Sequence, residues 1–326
     1  MMRTGLAGLS LLGLQAVNRA AADPEPEPGK PMPPAGSAEA EVHAFKLGGA
    51  DAYVILDGAL TFPGVQPAFA PEGKPEEVEA VSQRNFESSK RLVMSVNVLV
   101  LKLASGAVLF DSGAGGAFGP AAGKLVGGLK KIGLTPADVK LICVTHAHGD
   151  HIGGLLDGAG QPLFAGAKIV AAQTEVDFWT AEAPDVSGMR TPPEARQGVV
   201  KSIQKVLATV KPNLERRAPG AITPEIEMIA APGHTPGHSL FRVTVGGESL
   251  LVIGDAVHVW SVQFDRPEWT MIYDVNPAEA ISTRQKLFKE AVSDRTLLQA
   301  YHLPFPGLGH VRAVGTGFQW VPRSWV

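Results

Sequence analysis

The chain has 326 residues, of which 45% are hydrophobic and 19% charged, which excludes a disordered or fibrous protein. Lys and Arg number 29 against 32 Asp and Glu, for a net charge of -3, and no basic block stands out, so a nucleic-acid surface is not expected. The one cysteine, Cys143, rules out an internal disulfide and any thiolate-rich zinc site, so a metal would have to be held by carboxylates and some of the nine histidines.

Residues 1–22 carry Arg3, an apolar run from Leu6 to Val17, and small residues at Ala20 and Ala22. This pattern is expected to be an export signal; the alternative is a short amphipathic helix. A Pro-rich linker follows over 23–41, and one folded domain is expected over 42–326. No later apolar stretch is long enough to span a bilayer, so the exported chain is expected to be soluble and periplasmic.

From Val42 the runs HAFKLG and DAYVILDG read as strands around Gly-Gly, and SVNVLVLKLASGAVLFDSG reads as a hairpin. Leu125, Leu129 and Ile132 recur at helical spacing before Gly133. KLICVT and AKIVAAQ read as buried strands; EVDFWTAEA and PEARQGVVKSIQKVLATV read as helices. EIEMIAAPGHTPGHSLFRVTVGGESLLVIGDAVHVW predicts three strands, NPAEAISTRQKLFKEAVS an amphipathic helix, and TLLQAYH a last strand ending at His302. One half has a hairpin ending in Asp and a strand opening into a His loop; the other half repeats both features. The expected class is α/β (α+β), an αββα sandwich with the special residues on one rim.

THAHGDH places three imidazoles and a carboxylate within six residues of a buried strand. From a loop, His146 and His148 can converge on one ion while Asp150 and His151 turn to a second, with Gly149 freeing the backbone between them. Zinc accepts such N and O donors at ~2.0–2.2 Å. The partners are expected to be His234 for the first ion, His302 for the second, and Asp255 bridging both. Two ions ~3.5–4 Å apart can share a hydroxide and hold it against a substrate, with Asp150 and Asp255 as the catalytic carboxylates.

THAHGDH, APGHTPGHS, IGDA and the late His302 resemble the metallo-β-lactamase superfamily. FDSGAGGAFGP, VTHAHGDHIGG, AAQTEVDFW, SVQFD and HLPFPGLGHVRAVGTGFQWVP are similar more narrowly to methyl parathion hydrolases. The resemblance implies two divalent metal ions, most simply Zn2+, an exported homodimer, and His146, His148, Asp150, His151, His234, Asp255 and His302 as metal ligands. Asp111, Thr145 and His238 are expected just behind the ligands. Phe118, Trp179, His258 and Phe305 are expected in the substrate pocket, His258 standing where that family has an apolar residue. Little chain follows His302, unlike glyoxalase II-like enzymes, and the bridging Asp255 argues against antibiotic hydrolysis.

The expected activity is hydrolysis of a small aromatic phosphotriester, aryl ester or lactone, without nucleic-acid or membrane partners. One alternative uses the same metals to displace chloride from chlorinated aromatics such as chlorothalonil. Another is a non-enzymatic periplasmic metal- or ligand-binding protein.

Overall fold

The structure is a computed structural model and describes residues 39–324. The proposed export signal and most of the Pro-rich linker lie outside the described residues. The first half builds one seven-stranded sheet, ordered β1 to β7 as in the chain. Its elements are β1 (Glu41–Leu47), β2 (Ala50–Phe62), α1 (Pro75–Arg84), β3 (Leu92–Leu103), β4 (Gly106–Phe110), α2 (Leu125–Lys131), β5 (Val139–Cys143), the short α3 (Gly149–Ile152), β6 (Lys168–Ala172), α4 (Gln173–Thr180), α5 (Pro193–Val210) and β7 (Leu214–Arg217). The second half builds the other sheet, ordered β14 to β8: β8 (Gly220–Ala221), β9 (Ile226–Ala230), β10 (Ser239–Val245), β11 (Glu248–Val252), α6 (Trp260–Gln263), α7 (Pro277–Asp294), β12 (Leu297–Gln299), β13 (Leu308–Val314) and β14 (Gly317–Pro322).

Strand alternation explains the layers, because successive side chains point to opposite faces. Leu99 and Leu101 of β3, Val108 and Phe110 of β4, and Leu141 and Cys143 of β5 face Phe241, Val243, Leu250 and Val252 between the sheets. Val96, Val98 and Val100 of β3, with Leu109 and Ile142, face outward onto Leu125 and Leu129 of α2 and Ile203 and Leu207 of α5. On the far side Leu240, Leu251 and Ile253 meet Leu287, Phe288 and Ala291 of α7. The result is the expected αββα sandwich. The β1–β2 and β3–β4 hairpins, the three strands of the second His segment, and α7 fall where the patterning puts them.

Three elements differ from the sequence reading. The last predicted strand stops at Gln299, so His302 sits in the turn beyond β12. The aromatic-rich tail forms a β13–β14 hairpin that extends the second sheet. The segment 62–94 folds α1 and its flanking loops into a fourth cluster, in which Val65, Phe69, Val78 and Met94 pack on Val259, Trp269 and Met271. No helix among the described residues is long and apolar enough to cross a membrane.

Candidate metal centre

Parallel strands β4, β5 and β6 deliver their C-terminal ends to one rim, where the backbone leaves the hydrogen-bonded ladder and side chains can converge. Asp111 follows β4 with φ 62, a left-handed conformation that Asp tolerates better than most residues. His146 and His148 follow β5, and Asp150 and His151 lie on α3. The loops after β9, β11 and β12 bring His234, Asp255 and His302 from the other half.

The side chains form two sets of possible ligand atoms. His146, His148, His234 and Asp255 make one; Asp150, His151 and His302 make the other. In the first, His148 Nδ1 is 3.1 Å from His146 Nε2 and 2.9 Å from His234 Nε2. Asp255 Oδ2 lies 3.3 Å from His234 Nε2 and 3.6 Å from His146 Nε2. In the second, Asp255 Oδ1 lies 3.1 Å from His151 Nε2 and 3.3 Å from His302 Nε2, and Asp150 Oδ2 is 3.3 Å from His302 Nε2. A tetrahedral ion with bonds of ~2.0 Å needs donor atoms about 3.3 Å apart. Each oxygen of Asp255 thus faces a different set, as a bridging carboxylate would.

Hydrogen bonds behind the rings aim the bare nitrogens. His151 Nδ1–H donates to Asp111 Oδ2 at 2.8 Å, His234 Nδ1–H to Asp274 Oδ1 at 2.8 Å, and His302 Nδ1–H to the Ser95 carbonyl at 2.9 Å. Thr145 gives its hydroxyl proton to Asp111 at 2.8 Å, so its oxygen is left to accept from His146 Nδ1–H at 3.2 Å. In each case the proton on Nδ1 leaves the Nε2 lone pair toward the centre. His238 is set the other way. Its Nδ1–H bonds the Ala231 carbonyl and its Nε2 accepts the backbone N–H of Asp255 at 3.0 Å, so it holds the loop instead of joining either set. Glycine is required at 254: φ is +47, and a Cβ there would meet His238 Nε2 at 2.7 Å.

Charge is distributed unequally. Burial, and then mutual repulsion among the rings, pushes His146 and His148 well below the ordinary imidazole range. In the other set burial opposes protonation, but the carboxylates of Asp255, Asp111 and Asp150 outweigh it and hold His151 well above that range. His302 is pushed up to about 10 by Asp255 and Asp150 against the same burial. The carboxylates therefore call for more positive charge than neutral imidazoles supply. His151 Nε2 and Asp255 Oδ1 are also buried without a hydrogen-bond partner, although 3.1 Å apart. Buried polar atoms left this way are costly, and a cation between them satisfies both. The donor set fits a pair of divalent ions.

The centre floors a cavity of about 270 Å³ walled by Leu60, Phe62, Phe69, Met94, Phe118 and Met271. A side cavity of about 100 Å³ shares Leu60, Phe62, Ala68, Phe118, Ala195 and Tyr273 with it. Phe118 and His258 are placed in the main wall. His258 Nε2–H donates to Asp255 Oδ2 at 3.0 Å, and burial brings the ring down to about 4, so it is neutral. Two pocket expectations are corrected. Trp179 is fully buried behind His148, its ring 5.8 Å away and its Nε1–H donated to Glu175, because the helical face of α4 turns it into the core. Phe305 packs at the edge of the inter-sheet core, because the turn after His302 carries it away from the cavity. Residues missed in the sequence are Asp274 behind His234, Tyr301 stacked on His151 with ring centroids 4.0 Å apart, Glu175, and Tyr273 in the cavity wall.

An αββα sandwich with two His/Asp sets on one rim defines a metal-dependent hydrolase. The family model described as the metallo-beta-lactamase superfamily matches residues 91–302, and the chain belongs to that superfamily. No curated protein matches the chain at a significant level. Among solved structures it is similar to AidC, a dizinc quorum-quenching lactonase in complex with a homoserine product, at 28% identity and a TM-score of 0.84, covering 88% of this chain and 99% of that one. It is also similar to the hydrolase AbOPH, described as in the beta lactamase superfamily, at 28% identity, TM-score 0.80, covering 89% and 99%. A probable metal-dependent hydrolase from Staphylococcus aureus, at 19% identity and a TM-score of 0.69 over 86% and 100%, shares the fold.

Proposed function

We propose that this chain opens the ring ester of a lactone, or cleaves an aryl ester of similar size, at a dinuclear metal centre, with an apolar arm of the substrate held in the cavity. The observation that carries this reading is Asp255, with one oxygen toward each His/Asp set, at the floor of a cavity whose walls are mainly apolar. His146, His148, His234 and Asp255 Oδ2 would hold one ion; Asp150, His151, His302 and Asp255 Oδ1 would hold the other. When bound, two such ions, most simply zinc, supply Lewis acidity and a water acidified to near neutrality. The likeness to a lactonase solved with a homoserine product supports a ring ester over a phosphotriester.

The chain's own residues do the rest. The apolar walls exclude bulk water and orient the substrate. The Asp150 carboxylate lines the cavity and would take up a proton from the attacking water and return it to the departing oxygen. His258 holds Asp255 Oδ2 in place by its hydrogen bond. With residues 1–22 as an export signal, this chemistry would take place in the periplasm.

The direct test is turnover by the zinc-loaded full chain on lactones, aryl esters, aryl phosphotriesters and chlorinated aromatic nitriles. Lactones or aryl esters should exceed phosphotriesters by about 100-fold in kcat/KM, a ratio within the reach of a shaped pocket. Chloride release, or preference for phosphotriesters, would overturn the ester reading.

Two further results are expected. Ala68 is partly exposed at the junction of the two cavities, at the edge of the fourth cluster, so Ala68→Phe should close the side cavity. KM for long-chain acyl lactones should rise about tenfold while short-chain turnover changes little, since a buried methylene is worth about 0.8 kcal/mol. An equal effect on both chain lengths would remove the side cavity from substrate binding. The second concerns protons. Without metal, His302, pushed up to about 10, carries a second proton on Nε2 at neutral pH, and the raised His151 holds one more tightly than a free imidazole; each Nε2 lone pair is freed for an ion only as that proton leaves, which pH alone brings about on rising through the raised values. Metal uptake should then release protons and strengthen from pH 6 to pH 8, about tenfold per unit for each proton released. Calorimetry in buffers of different ionisation enthalpy reads this; uptake without proton release would contradict it.

A further inference from the structure

Glu175 is a buried carboxylate that the chemistry above does not use. It lies in the first turn of α4, 1% exposed, and makes four hydrogen bonds. Oε1 accepts the backbone N–H of Ala147 at 2.8 Å and Trp179 Nε1–H at 2.8 Å. Oε2 accepts the Thr235 hydroxyl at 2.7 Å and the backbone N–H of Gly237 at 3.0 Å. Ala147 sits between His146 and His148, and Thr235 follows His234. One oxygen therefore grips the histidine loop of the first half and the other grips that of the second, while Trp179 backs the His148 ring. The packing is close: a Cβ on Gly237 would lie 2.1 Å from the Glu175 backbone nitrogen.

We infer that Glu175 is a positioning residue, whose two oxygens lock the His146–His148 loop to the His234 loop and so set the separation of ligand atoms contributed by the two halves. This rests on the ligand assignment under Proposed function. The charge state matters because all four contacts are donors. A glutamine can keep Ala147 and Trp179 on its carbonyl oxygen, but its NH2 then meets Thr235, which can turn to accept, and the Gly237 N–H, which cannot. Glu175→Gln thus loosens the link to the second half selectively. Thr235→Val removes one strut from the same link with little change of shape.

The test is zinc affinity by competition with a chromophoric chelator, with stoichiometry by elemental analysis, on the full chain. A His302→Ala background isolates the first set. There, Glu175→Gln and Thr235→Val should each weaken zinc binding about 10- to 100-fold, the usual range for groups that orient ligands. Leu47→Ala, in the inter-sheet core at the β1–β2 turn against Val245 and so at the strand ends opposite the rim, serves as a destabilised control and should stay within about threefold, being a distant and independent site. Unchanged affinity in Thr235→Val overturns the proposal even if Glu175→Gln fails to fold. Equal losses in Leu47→Ala overturn it as well. A wild-type chain that takes up no ion overturns the ligand assignment and this inference together. A wild type that binds two ions beside variants of unchanged affinity overturns this inference alone.

Discussion

Asp255→Ala should abolish turnover, lowering kcat/KM by at least about 10³-fold, the several kcal/mol that a Lewis-acid pair contributes at about 1.4 kcal/mol per decade. Its two oxygens face different sets, at 3.1 Å from His151 Nε2 and 3.3 Å from His234 Nε2, so no other residue can replace both contacts. Bound zinc should fall from two ions per chain to one or none. The loop itself should survive, because His238 holds the backbone N–H of residue 255 and not its side chain. Unchanged far-ultraviolet dichroism beside lost activity is therefore the expected pair of readings. A variant that keeps activity within tenfold of the wild type would remove the bridging role and with it the dinuclear mechanism.

Asp111→Asn should weaken the site through a different route and by less. Asp111 is fully buried and accepts three hydrogen bonds: His151 Nδ1–H, Thr145 Oγ1–H and the Thr145 backbone N–H at 2.7 Å. Asparagine tolerates the same left-handed backbone, so geometry is retained. Its amide NH2, turned toward His151, would donate to Nδ1 and drive the ring proton to Nε2, the atom that faces the second set. The second ion should bind about 10- to 100-fold more weakly. Loss of a buried acceptor should also lower folding stability by about 1–3 kcal/mol. Zinc stoichiometry under chelator competition and urea unfolding of the metal-free chain measure the two effects separately. Tight binding of both ions in this variant would show that the tautomer of His151 is not set by Asp111.

Much of this site is visible in the sequence because its residues cluster where a strand pattern ends. THAHGDH follows KLICV, and IGDA follows ESLLV; burial periodicity marks the strand and the polar residue marks the rim. The residues behind the ligands are not visible for the opposite reason. Glu175 reads as an ordinary acidic residue in a helix's first turn, where it would usually face solvent. Asp274 lies in an irregular segment 40 residues from the ring it orients. Trp179 shows the limit from the other side: its place near the centre is real, but only the rotation of α4 decides that it backs His148 and does not line the cavity. Residues 62–94 follow the same rule, since their packing partners, Val259 to Met271, are about two hundred residues away along the chain.

Each sheet is drawn from one uninterrupted stretch of chain, the first ending at Arg217 and the second starting at Gly220. Asp150 and His151 come from one stretch, His234, Asp255 and His302 from the other. The two halves meet through the shared core between the sheets, and the ions would serve as a clasp at their rim. Neither half owns a complete set of ligands, so tight metal uptake must await their packing together, and each ion captured then adds its binding free energy to the cohesion of the joined pair.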